Sequence, residues 1–351
     1  MLTKLHLKNF KGFRDTEIPE LRKVNLILGG QNVGKTSLLE AILFLRAELT
    51  ESGSTLDLLP SKFRANEGED ARRFWALLLG TQDQPTTLLV MARISNMDIA
   101  MGGIHHRKTA LYIEKYWNAF SENATGKISK AFTFNLKEFG SVDLFTGFNP
   151  GNLSVSQSFN LQSNLRLSEP YTASIFSTGA VSQVKLYGQL VVKKKKTRVL
   201  NLLQQIEPRI SSIDAIAPDG EHRIYIDLNG GEVLPIGQLG HGFTRLFELY
   251  SGLAVTDSKL ALIDEIENGI HYSALPTVFQ GIRELAESNG VQSIITTHSL
   301  EAIKAACEVF KDKPEDFQLI RLERTNDDNI RAVAINDENL KTVMASGWEI
   351  R

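Results

Sequence analysis

An α/β fold with a largely parallel core sheet is predicted by three short stretches, each a buried strand that ends in chemistry-bearing residues. The first is VNLIL at residues 24–28, which runs directly into GGQNVGKTS at residues 29–37. The second is LALI at 260–263, ending in Asp264 and Glu265, and the third is VQSIITT at 291–297, ending in His298. Open α/β sheets bind ligands at the carboxyl edge of their strands, so the three endings are expected to share one edge.

GGQNVGKTS fits the spacing G-x-x-x-x-G-K-[ST], with Gly29, Gly34, Lys35 and Thr36 in the fixed places and Gln31, Asn32, Val33 and Ser37 completing the loop. The glycines let backbone N–H groups close around phosphate oxygens. Lys35 can reach the β- and γ-phosphates, and Thr36 offers a hydroxyl to Mg2+. Leu38, Leu39, Ile42 and Leu45 follow at helical spacing, so a helix should begin here with its positive end toward the phosphates. ATP and Mg2+ are the ligands this implies.

Composition sets the bounds. The chain has 351 residues, 42% hydrophobic and 23% charged, with a net charge of −2, which is ordinary for a globular protein and excludes a chain that coats polyanions. Any contact with DNA must then be a local patch. Cys307 is the only cysteine, so no intrachain disulfide or zinc cluster can form, and a cytoplasmic location is expected. No apolar run reaches membrane-spanning length, so no membrane partner is expected.

Taken in order, Leu2, Leu5, Leu7 and Phe10 and then residues 15–18 predict an antiparallel pair before the P-loop strand. Residues 51–70, rich in Ser, Gly, Asp and Glu, read as a surface connection. Short strands follow at 87–94, 110–117 and 131–139, with Phe132, Phe134 and Leu136 on one face. Residues 151–168 admit either a polar loop or a strand. QLVV at 189–192 reads as a strand closed by the lysine run 193–196, ahead of a helix carrying Val199, Leu202, Leu203 and Ile206. Cations are unfavourable at a helix N-terminus, so a strand end or solvent face is favoured over a phosphate-contacting patch. RIYIDL, Asn229-Gly230-Gly231 and residues 232–236 read as a hairpin. The tail predicts two strands, FQLIRLE and IRAVAI, and a short helix with Trp348 packed on its own domain. His105 and His106 face opposite ways on a strand, which argues against a metal site. The expected organisation is an N-terminal ATPase segment at 1–60, an inserted β-rich lobe at 61–200 and a returning ATPase segment at 201–351.

Asp264, at the end of its strand, can hold the Mg2+ shell opposite Thr36. Glu265, one residue later, is the candidate general base for water attacking the γ-phosphate, and His298 can bond that phosphate or the water. Gly240, His241 and Gly242 open a helix striped with Phe243, Leu246, Phe247, Tyr250 and Leu253. This turn reads equally as a plain helix cap or as a phosphate-contacting turn.

With these pieces in chain order the sequence resembles ABC-type ATPases of the SMC, RecF and OLD (overcoming lysogenization defect) group, and within it the compact OLD-like ATPases of prokaryotic defence systems. LHLKNFKGFRDTEI, GGQNVGKTS, LGHGFTRL, LIDEIENGIH and TTHSLEAI carry the likeness. The resemblance implies an ABC-type P-loop NTPase head with an antiparallel β subdomain. It also implies Lys35 and Thr36 on phosphate and Mg2+, Asp264 in Walker B, Glu265 as catalytic glutamate, His298 as switch, and residues 267–271 as the D-loop. LGHGFTRL departs from LSGGQ, with Gly240 in the serine position and His241 and Phe243 replacing glycine and glutamine. No glutamine matches the Q-loop clearly, Gln82 being the nearest to one. The tail is too short for a TOPRIM nuclease domain, and Asp327-Asp328 makes a poor metal site. The expected protein is an ATP-driven homodimer or higher homo-oligomer that controls a separate effector such as a nuclease or toxin-like protein. The alternative is a RecF-like ATPase that clamps DNA through the lysine run.

Overall fold

The computed structural model describes residues 1–47, strand segments between 88 and 176, and residues 183–335 apart from 219, 257 and 258; for Asn9, residues 43–47 and those strand segments only the backbone is described. The chain opens with β1 (Leu2–Phe10), β2 (Phe13–Ile18), β3 (Val24–Leu28) and α1 (Lys35–Ala47). Then come β4 (Leu88–Met101), β5 (Ile104–Ser121), β6 (Ile128–Leu136), β7 (Gly140–Asn149), β8 (Asn152–Phe159), β9 (Leu165–Leu167) and β10 (Ala173–Phe176). They are followed by α2 (Gln183–Val192), α3 (Lys196–Gln204), β11 (Ile210–Ile216), β12 (Arg223–Leu228), β13 (Glu232–Pro235) and α4 (His241–Val255). The described chain closes with β14 (Leu260–Ile263), α5 (Leu275–Asn289), β15 (Gln292–Thr296), α6 (Leu300–Val309), β16 (Phe317–Arg324) and β17 (Ile330–Ile335).

The chain divides into two compact units, one of Met1–Arg22, Gly29–Thr172 and Leu319–Thr342, the other of Lys23–Leu28, Ala173–Gln318 and Val343–Arg351. The first unit is built on an antiparallel sheet in the order β2-β1-β4-β5-β6-β7-β8, with β9 paired to β4. Leu2, Leu5, Leu7 and Phe10 are fully buried along β1, as their apolar positions predict. β4 and β5 pair from Leu88↔Trp117 to Met101↔Ile104, well past the 87–94 and 110–117 that the apolar pattern predicts. An antiparallel ladder needs only main-chain N–H and C=O groups, so it continues through polar positions such as Ser95 and Lys108. Within residues 151–168 the strands are Asn152–Phe159 and Leu165–Leu167.

The second unit contains parallel strands in the order β10-β14-β15-β3. Every residue of β3, β14 and β15 is buried, which is why VNLIL and LALI read as near-continuous apolar runs rather than alternations, while β15 buries Gln292, Ser293 and Thr296 beside Ile294 and Ile295. Their carboxyl ends lie along one edge. α5 begins with Pro276 in its first turn and ends on Gly290 in the left-handed conformation, φ 62°. Ser299 caps α6, accepting a hydrogen bond from the Ala302 N–H at 3.1 Å, as the sequence suggests. α4 is buried along most of its length, and Tyr250 fits only because Gly281 of α5 has no side chain: a Cβ there would lie 2.8 Å from the ring.

One expectation is overturned here. QLVV is not a strand but the last turn of α2, with Leu186 and Leu190 buried four residues apart and Val191 and Val192 exposed. The lysine run is the turn between two helices, with Lys194 in the left-handed region (φ 56°), Lys195 at the N-cap of α3 and Lys196 as its first residue. The cationic start is offset locally. Lys196 pairs with Asp214 at 2.6 Å, and Lys193 Nζ donates to the Val255 carbonyl at 2.6 Å. Burial works against the Lys196 charge, but the hydrogen bonds it donates to Asp214 and Tyr187 outweigh it and raise the ammonium pKa. The connection at 51–70, Gln82, Trp348 and the short C-terminal helix lie outside the described residues.

Candidate nucleotide site

In the first unit the P-loop is a chain of unusual backbone conformations. Gly29 (φ 150°), Asn32 (φ 57°) and Gly34 (φ 85°) all have positive φ, the kind of backbone from which anion-binding nests are built. Side chains are excluded where the loop is tightest. A Cβ on Gly29 would lie 2.6 Å from the Leu322 carbonyl oxygen, and one on Gly34 would lie 2.8 Å from Ile330 and 3.1 Å from Phe13. The β16–β17 hairpin thus supports the loop from behind, and Arg324 donates to the Asn32 carbonyl at 3.3 Å. Lys35 is buried, its Nζ donating to the carbonyls of Gly29 (2.8 Å) and Gly30 (2.7 Å), so the ammonium lies across the mouth of the loop. Gln31 and Asn32 are exposed; Val33, Gly34, Thr36 and Ser37 are half-buried. Thr36 and Ser37 stand in the first turn of α1, where helix N–H groups have no intrahelical partner. These residues fit a phosphate.

In the second unit Asp264, Glu265 and His298 come together at the carboxyl edge of β14 and β15. Thr296 Oγ1 donates to Asp264 Oδ1 at 2.5 Å and accepts from the Glu265 N–H at 2.8 Å, fixing the start of the turn. Glu265 then sits at φ 49°, a left-handed conformation uncommon for any residue with a Cβ and held here by its surroundings. His298 Nε2 lies 3.8 Å from Glu265 Oε1, beside the carboxylate but beyond hydrogen-bond range, and both side chains reach solvent. β3 runs parallel to β15, and the P-loop begins at the residue after β3 ends.

The glycine turn lies in the same unit. Gly240 (φ 93°) is the N-cap of α4, and Gly242 is packed against the turn after Glu265: a Cβ on it would lie 1.8 Å from the Gly269 carbonyl oxygen. His241 is exposed between them.

Three residues hold this half together; Arg245 and Thr296 were passed over by the sequence reading, and Glu267 entered it only as the first residue of the D-loop. Arg245 of α4 donates to the carbonyls of Asp264 (2.6 Å), Glu265 (2.6 Å) and Asn268 (3.2 Å). Its burial pulls the guanidinium pKa down, against the pull of Glu267, Glu265 and Asp264. Glu267 accepts from the Thr297 hydroxyl at 2.8 Å and from the His298 N–H at 2.6 Å. Thr296 is the third. Its signal was present as two buried hydroxyls, Thr296 and Thr297, ending an apolar strand, since buried hydroxyls require partners.

The family described as "AAA domain, putative AbiEii toxin, Type IV TA system" matches residues 121–304, just over half of the chain. The chain belongs to that AAA family. A second description, "AAA ATPase domain", matches residues 1–85 of this AAA ATPase and includes its P-loop. It is 21% identical over 338 residues to an "ATP/GTP phosphatase" of Helicobacter pylori, with 89% of each chain covered. In fold the AAA ATPase is similar to the SMC head domain from Thermotoga maritima, with a TM-score of 0.51 and 14% identity over 95% of this chain and 99% of that one. It is also similar to an SMC head bound to the C-winged helix domain of ScpA, with a TM-score of 0.56 and 15% identity over 97% and 99%. The fold is therefore that of an SMC-type α/β ATPase head, with parallel and antiparallel sheets as expected. Among the described residues no helix is long and apolar enough to cross a membrane, and no three His, Cys, Asp or Glu side chains group as metal ligands.

Proposed function

We propose that this AAA ATPase is a Mg2+-dependent molecular switch that closes as a homodimer around ATP and passes its state to a separate effector in anti-phage defence. The observation that carries the hydrolytic part is the pair Glu265 and His298, 3.8 Å apart at the carboxyl edge of the Walker B strand, on a sheet whose β3 leads into the P-loop. In this reading Lys35 and the N–H groups of residues 29–37 bind the β- and γ-phosphates, and Thr36 and Asp264 hold the metal. Mg2+ supplies charge neutralisation at the transferred phosphoryl group. Glu265 accepts the proton of the attacking water, whose oxygen bonds to the γ-phosphorus as the bond to the β,γ-bridging oxygen breaks, giving ADP and phosphate. His298, beside that carboxylate, orients the same water. Thr296 keeps Asp264 fixed while this happens.

The Gly240 N–H donates to the Gly237 carbonyl at 3.2 Å, while the N–H groups of His241 and Gly242 start α4 without a side-chain cap. They serve best as donors to the nucleotide held by a second copy of the chain. A defence role with a toxin-like or nuclease effector is supported by the OLD-like motifs and by the Type IV toxin–antitoxin description of the family. That SMC heads can carry a bound partner protein, as the ScpA complex shows for its own head, is in keeping with an effector docked on this one.

Lys35→Ala should lose ATP affinity; undiminished binding by the variant would contradict the P-loop assignment. Glu265→Gln should bind ATP, fail to turn it over and accumulate as a dimer. Light scattering that finds only monomer with ATP and Mg2+ would sink the sandwich.

A further inference from the structure

We propose that Glu267 is a positioning residue that fixes His298 against Glu265. The inference rests on the ATPase reading above and deepens it. Glu267 lies two residues beyond the catalytic glutamate, in a turn closed by the Asn268 N–H on the Glu265 carbonyl (3.0 Å) and the Ile270 N–H on the Glu267 carbonyl (3.0 Å). Its two carboxylate oxygens take separate donors from consecutive residues of the other strand end, the Thr297 hydroxyl and the His298 main-chain N–H. A carboxylate held at both oxygens cannot rotate without breaking a charge-assisted bond, so the backbone of His298 is fixed relative to the turn that carries Glu265. The turn is fixed in its own right from the opposite side. Arg245 holds three of its main-chain carbonyls, and among the charges around that guanidinium Glu267 acts most strongly.

The consequence is set by the 3.8 Å between His298 Nε2 and Glu265 Oε1. At that separation the ring neither bonds the carboxylate nor leaves it, and a shift of about 1 Å would make or lose the contact, a displacement that can cost roughly a hundredfold in rate. Glu267 determines that separation, its own two oxygens being taken by Thr297 and His298.

The test is steady-state ATP turnover by the full chain as wild type, Lys35→Ala, Glu267→Gln, Glu267→Ala, His298→Ala and the Glu267→Ala/His298→Ala double variant. Glu267→Ala is expected to lower kcat about 10- to 100-fold with KM for ATP within about twofold. Glu267→Gln, which keeps an acceptor for the His298 N–H, should lose less. Because Glu267 acts through His298, adding Glu267→Ala to His298→Ala should cost no further kcat. Losses that multiply in the double variant, or an unchanged kcat in Glu267→Ala, overturn the inference. Should Glu267→Ala not fold, Glu267→Gln alone and combined with His298→Ala gives the same reading. Wild-type turnover that survives Lys35→Ala overturns the ATPase reading and this inference with it; turnover that needs Lys35 but not Glu267 overturns this inference alone.

Discussion

Gly242 and Gly269 meet backbone to backbone, so neither can yield by changing a rotamer. With only 1.8 Å between the position of an added Cβ and the Gly269 oxygen, Gly242→Ala should force α4 away from the turn after Glu265. A stability loss of about 1–3 kcal/mol is expected, read as a fall in Tm, and an unchanged Tm would refute the contact. The same residues show where sequence reading stops. The strands that lead to Lys35, Thr36, Asp264, Glu265 and His298 were legible because VNLIL and LALI read as buried apolar runs and VQSIITT carries Ile294 and Ile295 at its centre. Arg245 was not, since on an amphipathic helix it looks like any half-exposed arginine and its partners are main-chain carbonyls, which carry no residue identity. Glu267 was named only as the start of the D-loop, and its contacts were hidden for a related reason: its donors belong to a distant strand end, and only the pairing of β14 with β15 brings them together.

At the scale of elements, the C-terminal end of α6 is tied to α5 by one arginine. Arg283 donates to the Val309 carbonyl (2.6 Å) and to both oxygens of Asp312 (2.6 and 2.7 Å). Arg283 holds the Asp312 carboxyl below its ordinary value of 3.8, and Lys313 with Arg283 holds Glu287 below 4.5. Both folded-state values are depressed, so the stability they contribute is present above the unfolded values and is lost as pH falls through the lowered ones. The Tm gap between wild type and Arg283→Met should therefore narrow between about pH 6 and about pH 3, without closing, because the bond to Val309 remains. A constant gap would assign the whole effect to that carbonyl and to packing on Phe310. Strands buried on both faces were the easiest elements to read, while α2 was missed because QLVV, taken alone, offers the same apolar run to either geometry. What decides it is Leu186 and Leu190 sharing one buried face, a period that shows only when the window extends upstream.

For the molecule as a whole, the α/β class and the nucleotide chemistry were legible, whereas the extent of the antiparallel sheet was not, since its long strands pass through polar positions with weak alternation. The lysine run bears on the DNA-clamping alternative. Lys193 and Lys196 are engaged within their own unit, which leaves Lys194 and Lys195 as the residues a phosphate backbone could use. Duplex DNA is therefore expected to leave ATP turnover unchanged at any salt concentration. A several-fold stimulation that falls steeply with salt and disappears in Lys194→Ala/Lys195→Ala would favour the clamp. Glu265, finally, occupies a backbone conformation in which glycine would rest more comfortably, at a cost of roughly 1 kcal/mol or more. Thr296 and Arg245 hold it there through bonds to its main chain. A chain selected for durability alone would relax this position, so under the role proposed for Glu265 tolerance of heat and turnover of nucleotide would pull the same residue in opposite directions.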